Sequence, residues 1–255
     1  MKMKKKIHYT DNYLLSPTHR VTVNLVGVGG TGSQVLTALA RIDCGLRSLG
    51  HPGLHVTAYD PDTVTEANIG RQLFSMPDIG LNKAMILVTR INQFFGNDWT
   101  AVPEPFDNKQ QANITISCVD NIKSRLQIAK QLSTSNKGYD YNKRLYWIDF
   151  GNTVNSGQVV VGSLNNIQQP KTRKHTTIPR LNTITELFNL KTVKEKDSGP
   201  SCSLAEALNK QDLFINSTLA NLGCGLLWKM ITTGTLEHQG LFLNLESMNV
   251  NPIKL

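Results

Sequence analysis

The chain has few cysteines, and none is arranged for a cage or a staple. Cys44, Cys118, Cys202 and Cys224 contain no CxxC pair, so the usual spacing of a structural zinc site is missing and no structural zinc is expected. Their scatter also argues against a disulfide scaffold, which leaves free thiols in a reducing compartment as the expectation. The 6 histidines show no paired metal spacing. No apolar run approaches the roughly 18 residues of a membrane-spanning helix. The basic start, Met1–Ile7, is followed by neither a long apolar stretch nor a small-residue cleavage site. It is therefore not read as a secretion signal, and a cytoplasmic protein is expected.

Acidic residues are also in deficit. There are 19 Asp and Glu against 27 Lys and Arg, a formal charge of +8, which favours anionic partners such as nucleotides, nucleic acid or an acidic protein. The excess sits at Lys2–Lys6, at Lys171–Lys174 and between Lys191 and Lys196, and reads as solvated tails and loops. No helix-turn-helix, RNA-recognition or zinc-finger pattern accompanies it, so a nucleic-acid role has no motif behind it.

The 255 residues, 40% of them hydrophobic, suffice for one extended α/β domain. Residues 1–20 read as a polar, irregular arm. Val21–Val26 is a β-branched strand running straight into Gly27-Val28-Gly29-Gly30-Thr31-Gly32, and a helix comes next over Ser33–Arg41. A second strand, Leu54–Tyr59, ends in Asp60-Pro61-Asp62; residues 43–53 before it read as an insertion. Further expectations are a helix over Asn82–Phe95, strands near Thr100–Val102 and over Ile114–Val119, a helix over Ile122–Leu132, and strands over Tyr146–Asp149 and Gly157–Val161. Alternating strands and helices imply a Rossmann-like, doubly wound, mainly parallel sheet over 21–164. Residues 165–200 are rich in Asn, Gln, Lys and Thr and read as a polar surface excursion with a short helix near Ile184–Leu190. Residues 201–255 read as a C-terminal helical and β extension: a helix from Leu204 to Leu208, another from Leu213 to Ile231, and a closing strand pair over Gly240–Val250.

Glycines 27, 29, 30 and 32 permit a tight turn with close backbone approach, so that N–H groups at the start of the next helix can hold phosphate. Asp60, at the end of the second strand, stands where a Rossmann acid meets ribose hydroxyls. These two features alone do not separate NAD from ATP.

The motifs downstream of Asp60 favour ATP. The run Asp60-Pro61-Asp62-Thr63-Val64, then Asn68-Ile69-Gly70-Arg71-Gln72, then Gly80-Leu81-Asn82-Lys83, then Cys118-Val119-Asp120-Asn121, resembles the DxDxV, NxxRQ, GxxK and CxDN elements of the ThiF/MoeB/ubiquitin-activating-enzyme superfamily, in family order after the glycine loop. Among its branches the chain is most similar to the ThiF-family component of PRTRC cassettes on plasmids and mobile elements, on Gly29–Ser33 and Pro200–Leu204. The resemblance implies an ATP-dependent adenylyltransferase that activates a carboxylate, with release of pyrophosphate. It implies that the carboxylate is the C-terminus of a small ubiquitin-like protein, and that the enzyme is a homodimer, to which the apolar helix 213–231 contributes. The implied nucleotide site comprises Gly27, Gly29, Gly30, Gly32, Asp60, Asp62, Asn68, Arg71, Gln72, Lys83 and Asp120, with Asp120 on Mg²⁺. The chemistry suits these residue types. Joining two anions calls for the planar charged fork of Arg71, the compact charge of Lys83 and the neutral amides of Asn68 and Gln72, while a carboxylate at a strand end can hold a hard cation.

Three departures from that pattern matter. Paired CxxC zinc ligands are missing. No arginine precedes Arg20 to serve a partner subunit's phosphates; Lys4–Lys6 are candidate substitutes. The thiol of the catalytic loop is not obvious; Cys202 is the candidate, set after the polar excursion and before a helix, where a helix N-terminus lowers a thiol pKa. Two alternatives therefore stay open: a nucleotide-binding scaffold of a mobile-element cassette without catalysis, and a NAD-dependent Rossmann oxidoreductase.

Overall fold

The computed structural model describes residues 4–133, 141, 143–190 and 211–255. In chain order the elements are β1 (Lys6–Tyr9), α1 (Asn12–Leu15), β2 (Val21–Val26), α2 (Gly30–Ser48), β3 (Leu54–Tyr59), α3 (Lys83–Phe95), β4 (Thr100–Val102), β5 (Ile114–Ser117), α4 (Ile122–Leu132), β6 (Tyr146–Asn152), β7 (Ser156–Ser163), β8 (Thr176–Thr177), α5 (Ile184–Leu187), α6 (Ile215–Thr232), β9 (Thr235–Leu236), β10 (His238–Asn244) and β11 (Asn249–Lys254).

Among these residues the main sheet runs β11-β10-β7-β6-β5-β2-β3-β4. Pairings from β4 across to β6 are parallel; those from β6 to β11 are antiparallel. The parallel strands are short, nearly continuous apolar runs because both of their faces are covered. Side chains of α2, α3 and α6 share one core with Val21, Val23, Leu25, Val56 and Ile114. On the opposite face, Ile128 and Leu132 of α4 and Ile184 of α5 pack with Val26, Tyr59, Trp147 and Val160. Chain order reverses between β2 and β5, and there the carboxyl ends of neighbouring strands diverge to leave a crevice.

Some segments differ from the sequence reading. Residues 43–48 are no insertion: α2 simply continues through them to Ser48. Asp43, inside that helix, accepts the Leu54 N–H at 2.7 Å and pairs with Arg47 at 2.8 Å, tying the helix end to the start of β3. Residues 6–9 are a strand rather than irregular chain, parallel to β8 and antiparallel to β9. His8 on that strand is buried, with Nδ1 at 2.6 Å from the Ile178 carbonyl and Nε2 at 2.9 Å from the Tyr146 hydroxyl. The stretch 165–190 is anchored by buried Ile167, Leu181 and Ile184 rather than lying free on the surface. The closing strand pair forms and extends the main sheet, with Leu241 opposite Val159. The helix expected over Leu204–Leu208 lies outside the described residues. Among the described residues no helix is long and apolar enough to cross a membrane.

Candidate functional site

A cleft of about 330 Å³ opens at the crevice between β2 and β5, within the size range of small-molecule sites. Its floor is the glycine loop. Gly27 has φ +83°, a left-handed conformation open to glycine, and a side chain there would meet the Cys118 carbonyl. Gly32 is more constrained still: a Cβ would lie 1.9 Å from the Gly27 carbonyl oxygen, so the helix can start this close to the strand only without a side chain. Gly27, Gly29, Gly30 and Thr31 line the cleft, and α2 begins at Gly30. The first N–H groups of that helix have no intrahelical acceptor. Gly32 itself lies beneath the loop, against Gly27.

Asp60 locks the loop to β3. One oxygen accepts the Val28 N–H at 2.7 Å and the other the Asp62 N–H at 2.9 Å. Burial pushes its pKa up, opposed by those two bonds and by Lys83. After Pro61 the chain loops out and returns at Asn82, which caps α3 by accepting the Met85 N–H and donates to the Asp60 and Asp62 carbonyls. Lys83 is the next residue. Only 8% exposed, it points its ammonium into the cleft and donates to Asp62 Oδ2 at 3.1 Å.

Arg71 and Gln72 come from the loop between. Asn68 shapes that loop without lining the cleft: its Oδ1 accepts the Thr65 N–H and its carbonyl accepts the Gln72 N–H. Gln72 lies over Gly29, and its Oε1 is buried with no hydrogen-bond partner among the described residues. Arg71 Nη1 donates to Gln211 Oε1, while its Nε is buried with no partner among them. Burial lowers the Arg71 pKa from its ordinary value. An unpartnered donor and an unpartnered acceptor over a phosphate-type loop are what a polar ligand would satisfy.

Across the cleft, Asp120 is exposed at the end of β5 and accepts from Asn121 Nδ2 at 3.0 Å; Asn121 caps α4 through the Ser124 N–H. Val26, Tyr59, Phe106, Val119 and Ile128 make an apolar wall. Tyr59 meets Phe106 edge to face, and burial lifts its phenol to about 12. Behind the wall, buried Asp149 accepts from Arg125 Nε and Ser117 Oγ, and Arg125 Nη2 donates to the carbonyls of Val119 and Phe150. This pair fixes the strand ends that carry Asp120.

The exposed carboxylates of Asp120 and Asp62 in the cleft lining suit Mg²⁺, which keeps several waters and is shared with substrate phosphates. Among the described residues no three His, Cys, Asp or Glu side chains form a cage for a metal. Cys118 lines the cleft, but burial, then the Asp149 charge, push its pKa well up, so it is a thiol rather than a thiolate. Cys224 is buried; Cys202 lies outside the described residues. Arg20 pairs with Asp98 before β2, away from the cleft. Lys5 pairs with Glu237 and Lys6 donates to the Leu255 carbonyl, so neither of them faces the cleft of its own chain.

The sequence reading missed the contribution of the C-terminal half. Asn216, in the first turn of α6, accepts from Thr31 Oγ1 at 2.8 Å and from Asn152 Nδ2 at 3.0 Å, and donates to Gln211 Oε1 at 3.0 Å. Partners separated by up to 185 residues leave no local signal in a sequence.

A family model described as the ThiF family matches residues 13–250. No curated protein matches the chain significantly. Among solved structures, E. coli MccB crystallised with MccA superposes with a TM-score of 0.61 at 15% identity, over 94% of this chain and 64% of that one. PaaA gives 0.58 at 15% identity, over 92% and 64%. E. coli MccB with AMPCPP and MccA gives 0.58 at 15% identity, over 92% and 63%. The chain thus spans less than two thirds of the length of these structures, and at this identity the likeness is one of fold.

Proposed function

The chain belongs to the ThiF family, and from that premise we propose that it is an ATP-dependent adenylyltransferase that activates a carboxylate. One observation carries the reading: Arg71 and Gln72 from the loop after β3, Lys83 from the start of α3 and Asp120 from the loop after β5 converge with the glycine loop on a single cleft. Arg71 and Lys83 supply two positive charges opposite helix N–H groups, a set suited to a triphosphate. The apolar wall of Tyr59, Phe106 and Ile128 accommodates a base.

In the proposed step a carboxylate oxygen attacks the α-phosphorus of ATP. The bond from that phosphorus to the bridging oxygen breaks, and pyrophosphate leaves with the electron pair. Arg71 and the loop N–H groups stabilise charge on the phosphoryl oxygens. Lys83, oriented by Asp62, neutralises the leaving phosphates. Asp60 keeps the loop in place. Asp120 would hold Mg²⁺, which when bound offsets charge on the phosphates.

The carboxylate is proposed to be the C-terminus of a small ubiquitin-like protein. The crystals of MccB with MccA, and with AMPCPP and MccA, support a second partner bound together with a nucleotide. A homodimer is part of the proposal. Its support is that Leu73, Met76, Ile79, Leu81 and Met85, which flank or separate Arg71 and Lys83 in the chain, are all exposed; α6 spends most of its apolar side chains on the core. The proposed step needs no thiol, so Cys202 takes no part in it.

The deciding experiment is isotope exchange between pyrophosphate and ATP, with small proteins bearing a free C-terminus supplied one at a time. Exchange that depends on one of them establishes the activity. ATP binding without exchange for any carboxylate would leave a nucleotide-binding scaffold, and tighter binding of NAD than of ATP would overturn the reading.

A further inference from the structure

We infer that Gln211 is a positioning residue for Arg71, and that Asn216 couples it to the glycine loop, so that the C-terminal half sets the geometry of the phosphate site. The inference rests on the nucleotide reading above and deepens it.

The geometry is a continuous chain of hydrogen bonds. Gln211 Oε1 accepts from Arg71 Nη1 and from Asn216 Nδ2. Asn216 Oδ1 accepts from Thr31 Oγ1 in the glycine loop and from Asn152 Nδ2 at the end of β6. Asn216 is 2% exposed, and a side chain on Gly30 would come within 2.8 Å of its Oδ1. The amide is therefore wedged against the start of α2, with each of its polar atoms used.

The consequence for Arg71 is directional. A free arginine side chain samples many rotamers, and ordering it on binding opposes affinity. Here one terminal nitrogen is held by a neutral acceptor while Nε stays buried without a partner among the described residues. A neutral amide leaves the charge of the guanidinium uncancelled, unlike a carboxylate at the same place, which would compete with phosphate. Gln211 thus orients the fork without neutralising it. The contact joins residues 140 apart, so Arg71 is set from outside its own loop.

The test is a double-mutant cycle on the full chain, with affinities for ATP with Mg²⁺ and for adenosine measured by calorimetry. Gln211→Met keeps the length and removes the acceptor without adding charge. ATP affinity should fall about 3- to 10-fold while adenosine affinity holds and the melting temperature drops by about 2–4 °C, because Asn216 Nδ2 loses its acceptor; in an Arg71→Ala background the same substitution should change ATP affinity by less than about twofold. Asn216→Ala should weaken ATP but not adenosine in either background, because it also releases Thr31. An equal loss for adenosine would make the contact merely structural, and a loss that persists without Arg71 would show Gln211 acting directly. Tighter ATP binding by Gln211→Met would make the contact a restraint that ATP must break. Each of these overturns the inference. ATP binding that obeys the expected cycle while no carboxylate supports pyrophosphate exchange sinks the adenylation reading and leaves this inference standing; a chain that binds no ATP sinks both.

Discussion

Single side chains at the cleft divide into those that meet the ligand and those that hold others in place. Arg71 and Lys83 are proposed as the first kind. Truncating either to alanine is expected to lower pyrophosphate exchange by about 100-fold or more, the usual effect of losing one donor that acts on developing charge. Arg71→Ala should shift the melting temperature by no more than about 2 °C. Lys83→Ala should lose somewhat more, because its buried stem packs beside Asp62. Unchanged exchange in either variant would refute the assigned roles. Asp120→Asn keeps the shape of an exposed residue and removes its charge. Its exchange should need a higher Mg²⁺ concentration while nucleotide affinity without metal stays the same, as titration with Mg²⁺ and with chelator would read. Asn68 marks the limit of spacing as a guide. Its place beside Arg71 is visible in the sequence, but the direction of its side chain is set by the Thr65 N–H it accepts.

At the scale of elements, short caps hold the active loops. Ser75 and Asp78 form a capping box around a single turn of 3-10 helix, and Asp78 also pairs with Arg90 of α3. Burial alone would raise the Asp78 pKa, but Arg90 and the Ser75 N–H and hydroxyl outweigh it and hold the carboxyl below its ordinary value. The carboxylate binds protons less readily in the folded chain than in the unfolded one. Its contribution is therefore present above the unfolded pKa and lost as pH falls through the folded value. Melting curves of Asp78→Asn against the parent chain should differ by about 1 kcal/mol at neutral pH and begin to converge only as pH falls below about 4. A gap independent of pH would mean that shape rather than charge is at stake. Elements with strong periodicity, such as α3 and α4, sit where the sequence places them. Helix α2 outruns its expected end because Gly45 and Asp43 look like loop chemistry, whereas in the fold Asp43 serves β3 and Gly45 makes room for Trp228.

For the whole molecule, the buried Arg125–Asp149 pair links the α4 side of the parallel sheet to its antiparallel extension. Asp149 is 1% exposed, and burial raises its pKa against the pull of Arg125 and Ser117. Removing one partner of such a pair leaves a charge buried alone, so Asp149→Ala is expected to lose about 3–5 kcal/mol in denaturant unfolding. A loss below about 1 kcal/mol would show that water reaches Arg125 and replaces its partner.

The amino-acid sequence by itself determined the parallel half of the sheet, the glycine loop and the identities of Arg71, Lys83 and Asp120. Those depend on local patterning and on motifs whose members lie close together in the chain. Only the tertiary structure decided that residues 6–9 are a sheet strand, that Asn68 supports the loop rather than lining the cleft, and that Asn152, Gln211 and Asn216 complete the site. The physical reason is the same in each case. A hydrogen bond between residues far apart in the chain depends on where whole elements pack, and neither periodicity nor spacing encodes that.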